Sequence, residues 1–212
     1  MKKREAADGI GSGAVLGRLM GDDVSVVFDI DGVLVPYEFG PESHVACSND
    51  EWEEYVRKNR PYSRMKPAPA IAEFIRDKGT DRIYVCSVAE EYENEDKGMS
   101  VRANYGIPDD HIFFVPDRTA KENVLRMIAE KDGGKVALVD DTVATLDRIH
   151  ENTPFMTVHV SSFLYYGSGK MKNQCPPTKA ERNMETCRTD EMQPMNPPRP
   201  CLTDNATAPY IT

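Results

Sequence analysis

The sequence predicts an α/β fold with a doubly wound, mostly parallel five-stranded sheet over residues 24–166. Two observations carry that expectation. Five short runs, VSVVF (24–28), RIYVCSV (82–88), HIFFV (111–115), KVALV (135–139) and FMTVHV (155–160), are rich in Val, Ile and aromatic residues and nearly continuous rather than alternating. A strand buried on both faces reads this way, because neither side of its pleat meets water. Helical periods lie between the runs, as they must if each strand is to return parallel to the last.

Taken in chain order, the first 23 residues hold Gly9, Gly11, Gly13 and Gly17. A dinucleotide-binding loop follows a strand, and these glycines precede the first one, so residues 1–23 are expected to be a flexible leader. After the first strand comes a small insertion, about 41–66. Within it, 48–58 has Ser48 as an N-cap and apolar Trp52, Tyr55 and Val56, which predicts one helix. Ile71, Phe74 and Ile75 mark a second helix. Val124, Leu125 and Ile128 mark a third, opened by Thr119-Ala120-Lys121-Glu122, which matches a capping box. Val143, Leu146 and Ile149 mark a fourth. The acidic run at 90–96 has no apolar period and is expected as a solvated loop near the site. From Gly167 to the last residue there are seven prolines and few large apolar side chains, so 167–212 is expected to be a disordered tail.

Composition excludes several classes. The 212 residues carry a formal net charge of −9. The tail holds six basic and five acidic residues, so the rest is more acidic than the whole. Electrostatic attraction to duplex nucleic acid or an anionic membrane is not expected. No apolar run approaches the roughly 20 residues a bilayer requires. The N-terminus starts basic, but Glu5 and Asp8 interrupt it before any apolar stretch, so no secretory signal is read and a cytoplasmic location is expected. Asn205-Ala206-Thr207 is then a chance glycosylation triplet. The five cysteines (Cys47, Cys86, Cys175, Cys187, Cys201) are scattered without a C-x-x-C pair, which fits reduced thiols rather than a disulfide framework or a zinc site.

In a doubly wound sheet the ligand sits beyond the carboxyl ends of the strands. Asp29 and Asp31 follow the first run, Ser87 closes the second, Lys121 opens the helix after the third, and Asp140, Asp141 and Thr142 follow the fourth. Asp29 and Asp31, two apart, are expected to point to one side while Ile30 points into the core. Such a cluster of carboxylates needs a cation or protonation. Hard oxygen ligands in an incomplete cage suit Mg²⁺, which shares its site with phosphate. Lys121 offers charge to phosphoryl oxygens and Ser87 a hydrogen bond. One carboxylate can attack phosphorus while another protonates the leaving oxygen. Blander roles stand beside these: Ser87 also suits a helix cap, Lys121 a surface lysine, and the Asp140/Asp141 pair a helix N-terminus.

These motifs resemble the haloacid dehalogenase (HAD) superfamily, in its phosphatase branch with a minimal cap. DIDGV at 29–33 matches its first motif, Ser87 in YVCSV its second, Lys121 its third and LVDDT its fourth, in family order over about residues 24–160. The resemblance implies Asp29 as nucleophile and Asp31 as general acid/base. It implies that Mg²⁺ is held by Asp29, the Asp31 backbone carbonyl and Asp140, with Asp141 in or near that shell. It also implies a flap near 33–40. Only five residues separate the third run from Lys121, so no cap fits there, and the insertion at 41–66 makes a small lid. The stretch from Lys97 to Asp141, with HVSSF at 159–163, is similar to bacterial and phage 5′-nucleotidase-like members. The expected activity is Mg²⁺-dependent phosphomonoester hydrolysis through an aspartyl-phosphate, on a phosphorylated small molecule or chain end. A phosphotransferase or phosphomutase of the same chemistry, and a catalytically idle binding module, are the alternatives. His44 and Cys47 read as loop residues, His111, His150 and His159 as structural, Cys86 as core, and Trp52 and Tyr55 as lid packing more than a base-stacking platform.

Overall fold

The computed structural model describes residues 12–36, 48–164 and 166–167. The chain divides into two units, Met1–Cys175 and Pro176–Thr212, and every described residue belongs to the first. The expected tail beyond Gly167, the flap residues 37–40, and His44 and Cys47 lie outside the described residues.

The elements run α1 (Ser12–Leu19), β1 (Val24–Phe28), α2 (Asn49–Asn59), α3 (Pro69–Lys78), β2 (Ile83–Val88), α4 (Glu91–Tyr105), β3 (Ile112–Val115), α5 (Lys121–Asp132), β4 (Lys135–Asp140), α6 (Val143–Asn152) and β5 (Met156–His159). All five strands are parallel, in the order β3-β2-β1-β4-β5. The first three strands step outward from β1, and β4 returns to its other side. β1 and β4 therefore flank the point where the order reverses, and such a point opens a crevice at the carboxyl edge.

Alternation along the strands feeds two cores. Val24, Val26 and Phe28 join Ile83, Val85, Ala137 and Val139 in a layer with α1, α3 and α4. Val27 joins Tyr84, Cys86, Val136 and Leu138 in a second layer with Leu125 and Ile128 of α5 and Leu146 and Ile149 of α6. Both parities are apolar because both faces are covered, which is why the runs read as continuous. In the first layer Phe28 meets the rings of Phe74 and Phe163 at 6.1 and 5.9 Å, and Phe74 meets Phe163 at 5.1 Å. Emptying such a position to Ala costs about 3–5 kcal/mol.

Four expectations are corrected. The leader is helical over Ser12–Leu19, and Leu16 and Leu19 are buried against the sheet. Their spacing forms an apolar stripe that outweighs the neighbouring glycines. The acidic run at 90–96 is not a solvated loop: it enters α4, and Glu93 and Asp96 are buried. The expected capping box at the start of α5 does not form. Ala120 is the N-cap, and the Asp117 carboxylate takes the Thr119 and Ala120 amide hydrogens at 2.6 and 3.1 Å instead. Val143 stands exposed, while Leu146 and Ile149 are buried as expected. The insertion helix forms as read: Ser48 caps α2, in a capping box with Glu51.

Candidate functional site

Strand parity places the first cluster. Asp29 continues the side of Val27, and Asp140 the side of Leu138, so both project toward the face covered by α5 and α6. The Asp29 amide donates to Val139 O at 3.0 Å, which extends the β1–β4 ladder to the motif itself. Lys121, the first residue of α5, reaches into this corner and is 1% exposed. Its Nζ lies 2.7 Å from Asp140 Oδ2 and 3.0 Å from Asp29 Oδ2. The other oxygens are held by backbone. Ile30 N donates to Asp29 Oδ1 and Thr142 N to Asp140 Oδ1, both at 2.8 Å. Asp141 completes the group: Asp29, Asp140 and Asp141 each offer an oxygen within 4.8 Å of the others.

Three carboxylates face one ammonium. Burial pushes the Asp29 carboxyl above its ordinary range, against the pull of Lys121, and the nearby Asp140 charge pushes the same way. Burial alone would lower Lys121, but Asp29 and Asp140 outweigh it and hold the ammonium charged. Ser87 is 1% exposed at the end of β2. Its hydroxyl makes a long contact with Val88 O, 3.4 Å, and stands near enough to Asp29 to favour that carboxylate's charged form.

Asp31 goes elsewhere. The turn after Ile30 breaks the strand alternation: Gly32 adopts φ +75°, and Val33 N and Val35 N both return to Ile30 O. A side chain at Gly32 would be strained in that left-handed backbone. Asp31 therefore does not share the side of Asp29. Its Oδ2 takes a hydrogen bond from Lys97 Nζ at 2.8 Å and its Oδ1 one from the Tyr62 hydroxyl at 3.0 Å. Tyr62 opens a short 3-10 turn, Tyr62–Arg64, after α2. Lys97 also touches Val88 O (3.2 Å) and Glu93 Oε2 (3.4 Å), and its ammonium lies 5.0 Å from the Tyr62 ring centroid. Trp52 Nε1 donates to Glu93 Oε1 at 3.0 Å. Trp52 stacks on Tyr55 at 5.7 Å and meets Tyr62 edge-on at 6.4 Å, so its ring packs among the aromatic residues that follow β1.

The structure thus brings Asp29, Ser87, Lys121, Asp140 and Asp141 to one corner and turns the Asp31 carboxylate to a neighbouring one. Sequence reasoning did not foresee Tyr62, Glu93 or Lys97 as partners of the site. For Glu93 and Lys97 the signal was spacing: with Asp96, Ser100 and Val101 they fall on one helical face, but the face is polar and reads as solvent-exposed. His159 bridges the end of β5 to the backbone at Asp141. Its Nδ1 accepts from Ser161 N at 3.2 Å, which leaves Nε2 to donate to Asp141 O at 3.1 Å. Cys86 is buried and its thiol is pushed up to about 12 by desolvation, consistent with a core residue.

Among the described residues, no helix is long and apolar enough to cross a membrane. No family model matches the chain. No curated protein matches it either. A solved structure similar in part is that of DsGPDH of Dunaliella salina, with a TM-score of 0.46 and 15% identity, covering 68% of this chain. This chain spans 24% of that one, and a likeness at that level assigns neither family nor activity.

Proposed function

We propose that the chain is a Mg²⁺-dependent phosphomonoester hydrolase of the HAD type, acting through an aspartyl-phosphate on Asp29. The observation that carries this reading is the buried Lys121 clamped between Asp29 and Asp140 at the carboxyl ends of two adjacent parallel strands. The donor set fits the metal. Asp29, Asp140 and Asp141 are all hard oxygen donors, and their charge exceeds what one lysine balances. When bound there, Mg²⁺ would supply the positive charge that a transferring phosphoryl group requires.

The chain's own residues supply the rest. A carboxylate oxygen of Asp29 bonds to phosphorus as the bond from phosphorus to the leaving oxygen breaks. Asp31 gives its proton to that oxygen, so an alcohol departs and Asp31 is left ionised. Asp31 then takes a proton from water as the water oxygen bonds to phosphorus. The bond from phosphorus to Asp29 breaks, and free phosphate and the Asp29 carboxylate are restored. Lys121 holds Asp29 and Asp140 in place, and Ser87 offers its hydroxyl to a phosphoryl oxygen. A minimal lid would suit a bulky substrate such as a nucleotide or a phosphorylated chain end, which favours the nucleotidase-like form of the reading.

The test is phosphate release from nucleotides, sugar phosphates and 3′- or 5′-phosphorylated oligonucleotides, with Mg²⁺ and with EDTA. Metal-dependent release in wild type, lost by at least about a thousandfold in Asp29→Asn, is the expected result. Release that needs an added acceptor would make the chain a transferase. Mg²⁺ binding with no turnover at all would make it a binding module.

A further inference from the structure

We propose that Tyr62 and Lys97 are positioning residues for the carboxylate of Asp31, and that the lid helix α2 governs them through Trp52 and Glu93. This inference rests on the reading of Asp31 as the acid. An ammonium has three N–H donors, and that of Lys97, 2% exposed, meets three acceptors: Asp31 Oδ2, Val88 O and Glu93 Oε2. All three donors are engaged, and one of them holds Asp31. Tyr62 has a single hydroxyl proton and faces two acceptors, Asp31 Oδ1 at 3.0 Å and Glu93 Oε1 at 3.2 Å. It can serve only one of them at a time.

Trp52 decides which. Its indole N–H donates to the same Glu93 oxygen at 3.0 Å, and Trp52 belongs to α2. With α2 seated, Glu93 is supplied by Trp52 and Lys97, and the phenol proton goes to Asp31. With α2 lifted, Glu93 loses the indole donor and draws the phenol proton to itself. Asp31 then loses one of its two side-chain anchors. The backbone of Tyr62 stays where it is, because Asp96 of α4 takes the Tyr62 and Ser63 amide hydrogens at 2.9 and 3.2 Å. The hydroxyl therefore swings on a fixed pivot. A lid of one helix thus aims the acid only while it is closed.

The test uses two substrates that differ in their need for a proton. An alkoxide leaves with difficulty unless it is protonated, whereas p-nitrophenolate leaves without help. Wild type, Asp31→Asn, Tyr62→Phe, Trp52→Phe and the double variant Tyr62→Phe/Trp52→Phe are compared on glycerol phosphate and p-nitrophenyl phosphate by kcat/KM, which covers the steps through phosphoenzyme formation. Tyr62→Phe is expected to lose about tenfold or more on glycerol phosphate and less than about threefold on p-nitrophenyl phosphate. Trp52→Phe should show the same selectivity at smaller size, and the double variant should be no worse than Tyr62→Phe, because both act through one oxygen. Equal losses on the two substrates, or additive ones, would mean a merely structural role and overturn the inference. If Tyr62→Phe does not fold, Trp52→Phe alone decides by the same criterion. Failure of the underlying reading looks different: wild type releases no phosphate, or Asp31→Asn matches wild type on glycerol phosphate.

Discussion

Lys121 and Lys97 are 1% and 2% exposed, and each holds one aspartate of the 29–33 motif against a second carboxylate. Their surroundings differ. Around Lys121 the remaining donors are backbone amides and the Ser87 hydroxyl, and Asp141 adds a further negative charge. Around Lys97 the remaining donors are the Tyr62 hydroxyl, the Trp52 indole and the Glu90 amide, and a backbone carbonyl absorbs the spare N–H. The first cluster is short of positive charge and is suited to receive a cation. The second is closed on itself and is suited to hold a side chain still. Two lysines with the same burial and the same charge thus serve different ends because of what surrounds their carboxylate partners.

The sharpest way to break this comparison is to remove each lysine in turn. Lys121→Met and Lys97→Met each leave buried carboxylates without their cation, and each should lose about 3–5 kcal/mol in denaturant unfolding. Mg²⁺ should restore part of the loss in Lys121→Met and none in Lys97→Met. Equal rescue of both, or of neither, would erase the distinction. A smaller effect sharpens the same point in the wild type. Replacing EDTA by Mg²⁺ at about a hundred times its dissociation constant should add about 2.7 kcal/mol, read as a higher Tm. That gain should fall in Asp140→Asn and persist in Glu93→Gln.

The smallest effect lies at high pH. Burial, with Asp31 and Glu93 adding to it, raises the Tyr62 phenol well above its ordinary value, while Tyr84 and Tyr105 are raised to about 12, mainly by burial. A phenol whose folded value lies above the unfolded 10.0 contributes stability that is complete below pH 10 and declines as pH rises toward the folded value. Tyrosinate absorbance followed with far-ultraviolet dichroism should therefore show the last phenols ionising only as the helices melt. In Tyr62→Phe the onset of melting should shift to higher pH. An unchanged onset would mean that Tyr62 ionises freely in the folded chain.

The sheet was largely legible in the sequence because each strand is apolar on both parities. The observed bounds Val24–Phe28 and Lys135–Asp140 match the runs within a residue. Helices α3, α5 and α6 were legible because Phe74, Leu125 and Ile149 recur at helical spacing on apolar faces. Helix α4 was not, because the face it buries carries Glu93, Asp96 and Lys97. Hydropathy reads such a face as solvent-exposed, and only the partners from 31, 52 and 62 make it an interior. The grouping of Asp29, Lys121 and Asp140 followed from their places at strand ends. The separate corner taken by Asp31 did not, since it depends on the turn through Gly32, which breaks the alternation three residues after Phe28.

The aromatic contact between Phe28 and Phe163 joins β1 to a residue just beyond β5. The N-terminal helix α1 packs in the same layer, against the turn Val160–Phe163. A chain leaving the ribosome at about 5–20 residues per second makes β1 and its motif several seconds before the ring that covers them. Until Phe163 and Tyr166 emerge, Phe28 and Phe74 lack half of their four-ring aromatic cluster, and the nascent sheet keeps an open, greasy flank. Synthesis pauses upstream of residue 163 would prolong that exposure, and the protein's yield in a cell should depend on how fast β5 and the turn Val160–Phe163 are made.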